Sequence, residues 1–315
     1  MNIVFIMDAL ETVIPEKDTT LAFMRAAQSR GHRLFYVPKT GLSYQSEVLF
    51  QASEVQVMDK GQSLFETKET VSLSETEVDV VMIRPDPPFD ETYLHLTWIL
   101  DRLNPRVFVM NRPNGIRSVN EKLWALQFSE FMPPTLVTSD HSQFKSFLAE
   151  HQKVVIKPCN GYGGQGVFIL SMDDLNVNAA FELLSKYGKE AVICQQYLED
   201  AQTGDKRILL LNGESLGTVL RVHSDDDHRN NFFAGGKAIS SEITDRDREI
   251  IDRLKPHLLD LGLYFVGIDI IGDYLIEVNV TSPTCLQEMN RLYDKCLETD
   301  VIVFIESAVS KLNKE

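Results

Sequence analysis

Residues 265–285, FVGIDIIGDYLIEVNVTSPTC, constrain the fold more than any other stretch of the chain. They alternate with the period of a β-strand on both sides of Gly272-Asp273, a turn pair. Val266, Ile268, Ile270, Tyr274, Ile276, Val278 and Val280 make one apolar face. Asp269, Glu277 and Asn279 take the other parity, and Gly267 leaves space beside Asp269. A two-residue turn alone would set Asp269 opposite Ile276. The pattern therefore predicts an odd-length connection or a β-bulge, after which Asp269, Glu277 and Asn279 converge. Two carboxylates and an amide are hard oxygen donors, suited to Mg²⁺ shared with phosphate. A solvated polar face would alternate in the same way. What separates the two readings is the turn Thr281-Ser282-Pro283-Thr284, which follows at once with its hydroxyls and backbone amides.

A chain of 315 residues has room for two or three domains around such a hairpin. Its net charge of −15 excludes a general binder of nucleic acid or of anionic membranes, while leaving room for a local nucleotide site. Cys159, Cys194, Cys285 and Cys296 show no metal spacing and fit a reduced, cytoplasmic protein with free thiols. The N-terminal MNIVFIMDAL lacks a basic region and reads as a first strand rather than a signal peptide. No apolar run reaches membrane-spanning length.

The first 121 residues read as an α/β domain on a parallel sheet. Buried strands are expected at 3–7, 34–37, 78–83 and 107–110, and helices at 18–30 and 91–103. Residues 42–75 are polar and β-rich, with a turn at Asp59-Lys60-Gly61, and 111–117 read as a loop. Arg84 stands just past a strand end, where ligands bind in open α/β sheets; it is a candidate for a substrate carboxylate or a partner for Asp86 or Asp90. Ser118-x-x-Glu121 has the form of a capping box and opens a helix bearing Lys122. A second unit, 122–200, holds a strand at 153–157 and the loop Gly161-Tyr162-Gly163-Gly164-Gln165-Gly166 before the strand 167–170. Glycines there allow positive φ and close approach of N–H groups to phosphate oxygens. The loop follows neither the Walker nor the Rossmann pattern. Ala191–Leu198 is a strand whose polar-aromatic end, Gln195-Gln196-Tyr197-Leu198, suits a backbone hinge reading adenine. The last unit, 201–315, opens with Asp205-Lys206-Arg207 and turns at Asn212-Gly213, so Arg221 reaches the face of Arg207 only if a bulge or twist intervenes. The polar loop 222–236 then carries Asp225, Asp226 and Asp227 outward, with Asn231, Gly235 and Gly236 toward the site. Helices are expected at 244–261 and 300–312.

Taken together, DPPFD (86–90), NEK (120–122), GDKR (204–207), AGG (234–236), FVGIDIIGD (265–273) and EVNVTSPTC (277–285) resemble the ATP-grasp ligases. Within them the strings resemble the bacterial glutathione synthetases, over nearly the whole chain. The resemblance implies an α/β (α+β) architecture: a parallel-sheet N-terminal domain, then a two-lobed ATP-grasp domain with antiparallel sheets. It implies ATP and two Mg²⁺, with Mn²⁺ as the alternative, and ligation of γ-glutamylcysteine to glycine through an acyl phosphate. Lys122, Lys157 and the glycine loop are then expected on phosphates and Gln195–Leu198 on adenine, with Asp205 also on ATP. Asp269, Glu277 and Asn279 are expected on metal. Arg207 neutralises the reacting carboxylate, and Arg84, Arg221, Asn231, Gly235, Gly236 and Thr281–Thr284 hold substrate. The family also implies small-molecule partners, no nucleic acid or membrane, and a homo-oligomer, a tetramer. Pro85 stands where the family often has a basic residue, and the acidic loop departs from a neutral lid. These departures keep a different carboxylate–amine ligase in play; a non-catalytic ATP-binding regulator is a third reading, against which the intact triad counts.

Overall fold

The computed structural model describes residues 1–58, 63–222 and 236–314; Asp59-Lys60-Gly61 and most of the acidic loop lie outside the described residues. The first sheet is built from β1 (Asn2–Met7), β2 (Arg33–Pro38), β3 (Leu42–Gln45), β4 (Glu47–Val57), β5 (Phe65–Ser74), β6 (Val80–Ile83) and β7 (Phe108–Met110). β1 lies parallel between β2 and β6, and β7 continues the parallel run beyond β6. β3, β4 and β5 add an antiparallel wing at the other edge. β1 is apolar at every core position because both its faces are covered. Ile3 and Phe5 pack with α1 (Thr19–Ser29), while Val4 and Ile6 pack toward α2 (Glu91–Leu100). Asp18 caps α1 by accepting from Leu21 N at 2.7 Å, and Gly31 at φ +82° follows its end.

Residues 111–117 are not a loop. Pro113 starts a short helix, α3 (Pro113–Ser118), as proline at the first helical turn allows. This removes the expected capping box: Ser118 ends α3 and donates back to the carbonyl of Asn114. The local cap is Asn120 instead, whose Oδ1 accepts from Lys122 N at 3.1 Å and Leu123 N at 2.9 Å. A 3₁₀ segment over Trp124–Phe131 follows, rather than an α-helix bearing Lys122.

The second sheet, antiparallel, has the order β10-β9-β11-β8, with β8 at Thr135–Thr138, β9 at Lys153–Pro158, β10 at Phe168–Ser171 and β11 at Val192–Gln196. α4 (His141–His151) and α5 (Val177–Leu184) cover its outer face, where Phe144 and Phe181 stack at 4.7 Å. This lobe has its own core. The third sheet, also antiparallel, shares both of its cores with the first sheet. It has the order β14-β13-β12-β15-β16: β12 (Asp205–Leu211), β13 (Glu214–Val222), β14 (Lys237–Ile239), β15 (Phe265–Ile271) and β16 (Tyr274–Asn279). α6 (Asp245–Asp260), capped by Thr244 and Asp247, covers one face. α7 (Leu286–Tyr293), which sequence periodicity did not reveal, and α8 (Leu297–Leu312) pack toward α1. No described helix is long and apolar enough to cross a membrane, and the four cysteines are free.

Two bulges decide which residues share a face. The Gly272-Asp273 turn spans two residues, and a bulge on β16 restores the register, so Asp269 pairs with Glu277 and Gly267 with Asn279. Before the bulge the phase is shifted. Leu275, fully buried, takes the core position expected of Tyr274 and Ile276, and Ile276 turns to the other side to line the central cavity. A second bulge, on β13, sets Asp205 opposite Arg221, so that Arg221 joins Arg207 on one face.

Candidate active site

A cavity of about 1040 Å³ lies where the three sheets meet. Its floor is the polar face of the third sheet. There Arg207 pairs in register with Asp269, and Asp269 with Glu277. Arg207 Nε and Nη2 donate to the two oxygens of Asp269 at 2.6 and 2.7 Å. Arg221 Nη2 reaches the same carboxylate at 2.9 Å, and Arg221 also makes a two-pronged pair with Asp205. Burial alone would raise the Asp269 pKa, but Arg207 and Arg221 outweigh it and hold the group well below the usual carboxylate range. Burial raises the Asp205 pKa against the pull of Arg221. Gly267 keeps the approach of Arg207 open. A Cβ there would come within 3.0 Å of Pro283 and 3.3 Å of the Arg207 side chain, which crosses that space to reach Asp269.

The opposite wall comes from the second sheet. On β9, Val154 and Ile156 face that lobe's own core, and Val155 and Lys157 face the cavity. Lys157 is 5% exposed, and burial lowers its pKa to about 8, with Glu277 working against that shift and Lys122 adding to it. Lys122 reaches Glu277 Oε1 at 3.3 Å and donates to the carbonyl of Gly161, tying the glycine loop to the oxygen-rich corner of the floor. In that loop Gly163, Gly164 and Gly166 adopt φ of +59°, +75° and +69°. Residues 161–165 line the cavity, and Gly166 closes the loop behind it against Pro158 and Leu184. Gln195–Leu198 line the same wall. Gln195 is held by a 3.0 Å bond to Thr135 Oγ1, and Lys153 Nζ sits 3.7 Å from the Tyr197 ring centre.

The end wall is the Thr281–Thr284 turn. Glu121, which sequence reading placed in a capping box, anchors it: Oε1 accepts from Val280 N at 2.9 Å, Thr281 N at 3.1 Å and Thr281 Oγ1 at 2.8 Å. Ser282 donates to Asp86 at 2.8 Å. Arg84 lines the cavity but forms no ion pair with Asp86 or Asp90 among the described residues. It donates to Thr20 Oγ1 and the Pro283 carbonyl, each at 3.0 Å, and lies 5.8 Å from the Phe23 and Phe265 rings. Burial lowers its pKa. Asn111, absent from the sequence reading, is the rivet beneath the hairpin. Its Nδ2 donates to the carbonyls of Phe265 and Val280, and its Oδ1 accepts from the N–H groups of Tyr264 and Phe265, all within 2.7–2.9 Å. The one hint of it was an asparagine directly after a buried strand, a residue that tolerates the φ of +61° found there.

The structure thus brings Lys122, Lys157, Asp205, Arg207, Arg221, the oxygen-bearing triad and the turn to one cavity. Gly236 is described but does not line it, and Asn231 and Gly235 lie outside the described residues. Among the described residues no three His, Cys, Asp or Glu side chains gather as a metal cluster. The oxygen set at this corner is two carboxylates and an amide. Asn279 donates through Nδ2 to the Gly267 carbonyl at 3.3 Å and Asp269 at 3.4 Å, which leaves Oδ1 as an acceptor.

The comparisons with known proteins fall on this arrangement. The prokaryotic glutathione synthetase N-terminal domain matches residues 1–117, and the prokaryotic glutathione synthetase ATP-grasp domain matches residues 121–294. The chain belongs to the prokaryotic glutathione synthetases. Among curated relatives, the glutathione synthetase of Gloeobacter violaceus is 41% identical, covering 96% of this chain and 95% of its own. That of Synechocystis is 40% identical, covering 97% and 99%. Of solved structures, D-cycloserine synthetase DcsG superposes with a TM-score of 0.66 at 13% identity, covering 99% of this chain and 100% of its own. D-alanyl-alanine synthetase A from Vibrio cholerae gives 0.61 at 12% identity, covering 98% of each chain. At these identities the two structures attest the ATP-grasp fold alone. Family membership makes the chain an ATP-dependent ligase of glutathione synthesis.

Proposed function

We propose that the cavity activates the cysteinyl carboxylate of γ-glutamylcysteine as an acyl phosphate with ATP, then passes it to the amine of glycine, releasing ADP and phosphate. The observation that carries this reading is the meeting of two buried arginines with two lysines from the facing wall around one floor. A carboxylate attacking a γ-phosphoryl group brings two anions together in a water-poor site. The reaction asks for fixed positive charge and alignment, and little covalent help.

In this reading Lys122 and Lys157 hold phosphates, and the N–H groups of the loop 161–166 close over them. Gln195–Leu198 read the adenine. Arg207 and Arg221 rest on Asp269 until substrate arrives, then turn to the donor carboxylate and the transferring phosphoryl group. Glu277 and Asn279 present oxygens that fit a divalent cation, and Asp269 joins them as the arginines leave. Two Mg²⁺, or Mn²⁺, would supply charge neutralisation along the phosphate chain when bound. The buried lysines Lys122 and Lys157 fit such a site, because two cations share the one carboxylate of Glu277 there. The enzyme works in the cytoplasm as a homo-oligomer, a tetramer on the family pattern, which light scattering tests directly.

The experiment is incubation with ATP, Mg²⁺, γ-glutamylcysteine and glycine. The expected result is ADP, phosphate and glutathione in equal amounts. ADP release at the background rate with all four present refutes the reading.

A further inference from the structure

A second cavity, of about 570 Å³, shares no lining residue with the central one among the described residues. It lies among the end of α2, β7, the start of α3, the turn at Asn212, Tyr264 just before β15, and α8. Its volume falls in the range of small-molecule sites. Three rings line it, those of Phe108, Tyr264 and Phe304, with centres 5.5, 5.6 and 6.1 Å apart. Leu100, Leu103 and Leu312 add aliphatic surface.

The charge of this cavity runs against that of the chain. The protein has 46 acidic residues and a net charge of −15. Among the described residues no Asp or Glu lines the cavity, whereas Arg112 and Lys311 do. Neither cation forms an ion pair or a side-chain hydrogen bond among the described residues. Arg112 is nonetheless seated. Its N–H donates to the Gly262 carbonyl at 2.9 Å, and its stem lies across Gly262 itself, where a Cβ would come within 2.3 Å of Cδ and 2.7 Å of Nε. The φ of +65° just past α6 asks for glycine in any case; the seat for Arg112 is additional. An arginine whose stem is already placed, and whose guanidinium is unpaired, spends little ordering on meeting an anion.

A flat aromatic body suits the rings, and one carboxylate suits the two cations. We infer that this cavity is a second ligand site, separate from the ligase centre, for a small aromatic carboxylate. Its occupant touches Tyr264, whose N–H is held by Asn111 Oδ1 and which leads directly into the strand carrying Asp269. That is the position of an effector rather than a substrate. The inference stands on the cavity's own residues and does not depend on the ligase reading.

The test is a leucine-methyl NMR titration of the full chain with 2-naphthoate and with its neutral counterpart, 2-naphthamide, in the wild type and in Arg112→Gln. An aromatic acid of this size and ordinary efficiency binds with a Kd of roughly 1 mM. The expected result is saturable shifts at Leu100, Leu103 and Leu312 with 2-naphthoate. The amide should bind the wild type about tenfold more weakly, and Arg112→Gln should lose most of that preference for the acid. Three outcomes overturn the inference: no saturable shift up to about 10 mM acid, shifts confined to Leu198 of the central cavity, or a preference for the acid that Arg112→Gln leaves intact. Should Arg112→Gln fail to fold by circular dichroism, Lys311→Gln, at an exposed position, takes its place. A reduced preference for the acid then supports the assignment, and an unchanged one overturns it.

Discussion

Replacing Lys157 by methionine is expected to make the ligand-free protein more stable while abolishing nucleotide binding. The side chain lies on β9 facing the cavity, 5% exposed, with no hydrogen bond among the described residues to compensate its charge. Burial lowers its pKa from 10.5 to about 8. Each tenfold loss of proton affinity corresponds to ~1.4 kcal/mol, so the charged form costs the folded state roughly 3 kcal/mol. The sign follows from proton counting. The unfolded chain keeps the proton up to about its ordinary pKa, whereas the folded chain releases it near pH 8. Between those values the unfolded state binds more protons, so stability rises with pH. Below pH 8 both states are protonated and the full penalty is present. Methionine has similar length and no charge. At pH 7 the variant should therefore exceed the wild type by roughly 3 kcal/mol in urea unfolding followed by circular dichroism. At pH 9.5 the gap should shrink to about 1 kcal/mol, because the wild type has by then shed most of the buried charge. Calorimetry with ATP and Mg²⁺ should show binding to the wild type and none to the variant. A variant no more stable than the wild type at pH 7, or a gap that does not change with pH, refutes the reasoning.

Glu277→Gln removes a charge with little change in volume; it leaves buried Lys122 without its carboxylate, so urea unfolding should show a loss of roughly 1–3 kcal/mol while kcat for glutathione formation falls by roughly 10²–10³; unchanged kinetics would remove Glu277 from the site. Asn111→Ala strips four buried hydrogen bonds from the seam under the hairpin. At about 1 kcal/mol each, with a further ~1 kcal/mol for alanine at positive φ, the loss should approach 5 kcal/mol in urea unfolding. Asn111→Gly, free of the backbone strain, should recover about 1 kcal/mol of it; equal losses in the two variants would show that the φ of +61° carries no cost.

The hairpin at 265–285 was readable because burial on one side imposes an alternation that a sequence cannot hide. Even its irregularity could be foreseen: Asp269, Glu277 and Asn279 share a face only if the register slips by one, and the β16 bulge supplies that slip. Arg221 obeyed the same logic on β13. Which residue becomes the extra one is a different matter. The exchange of Leu275 for Ile276 in the core depends on local fit, and both are apolar. Ser118-x-x-Glu121 misled for a related reason. A capping box is a local pattern, yet Glu121 spends its carboxylate on the Thr281 turn, a partner some 160 positions away. Asn111 belongs to the same class: its role comes from contacts between distant segments, which periodicity does not encode. Periodicity places side chains on faces, and tertiary packing decides which polar groups are left to be completed by a ligand. Sites of this type are found by accounting for every buried donor and acceptor in the assembled fold.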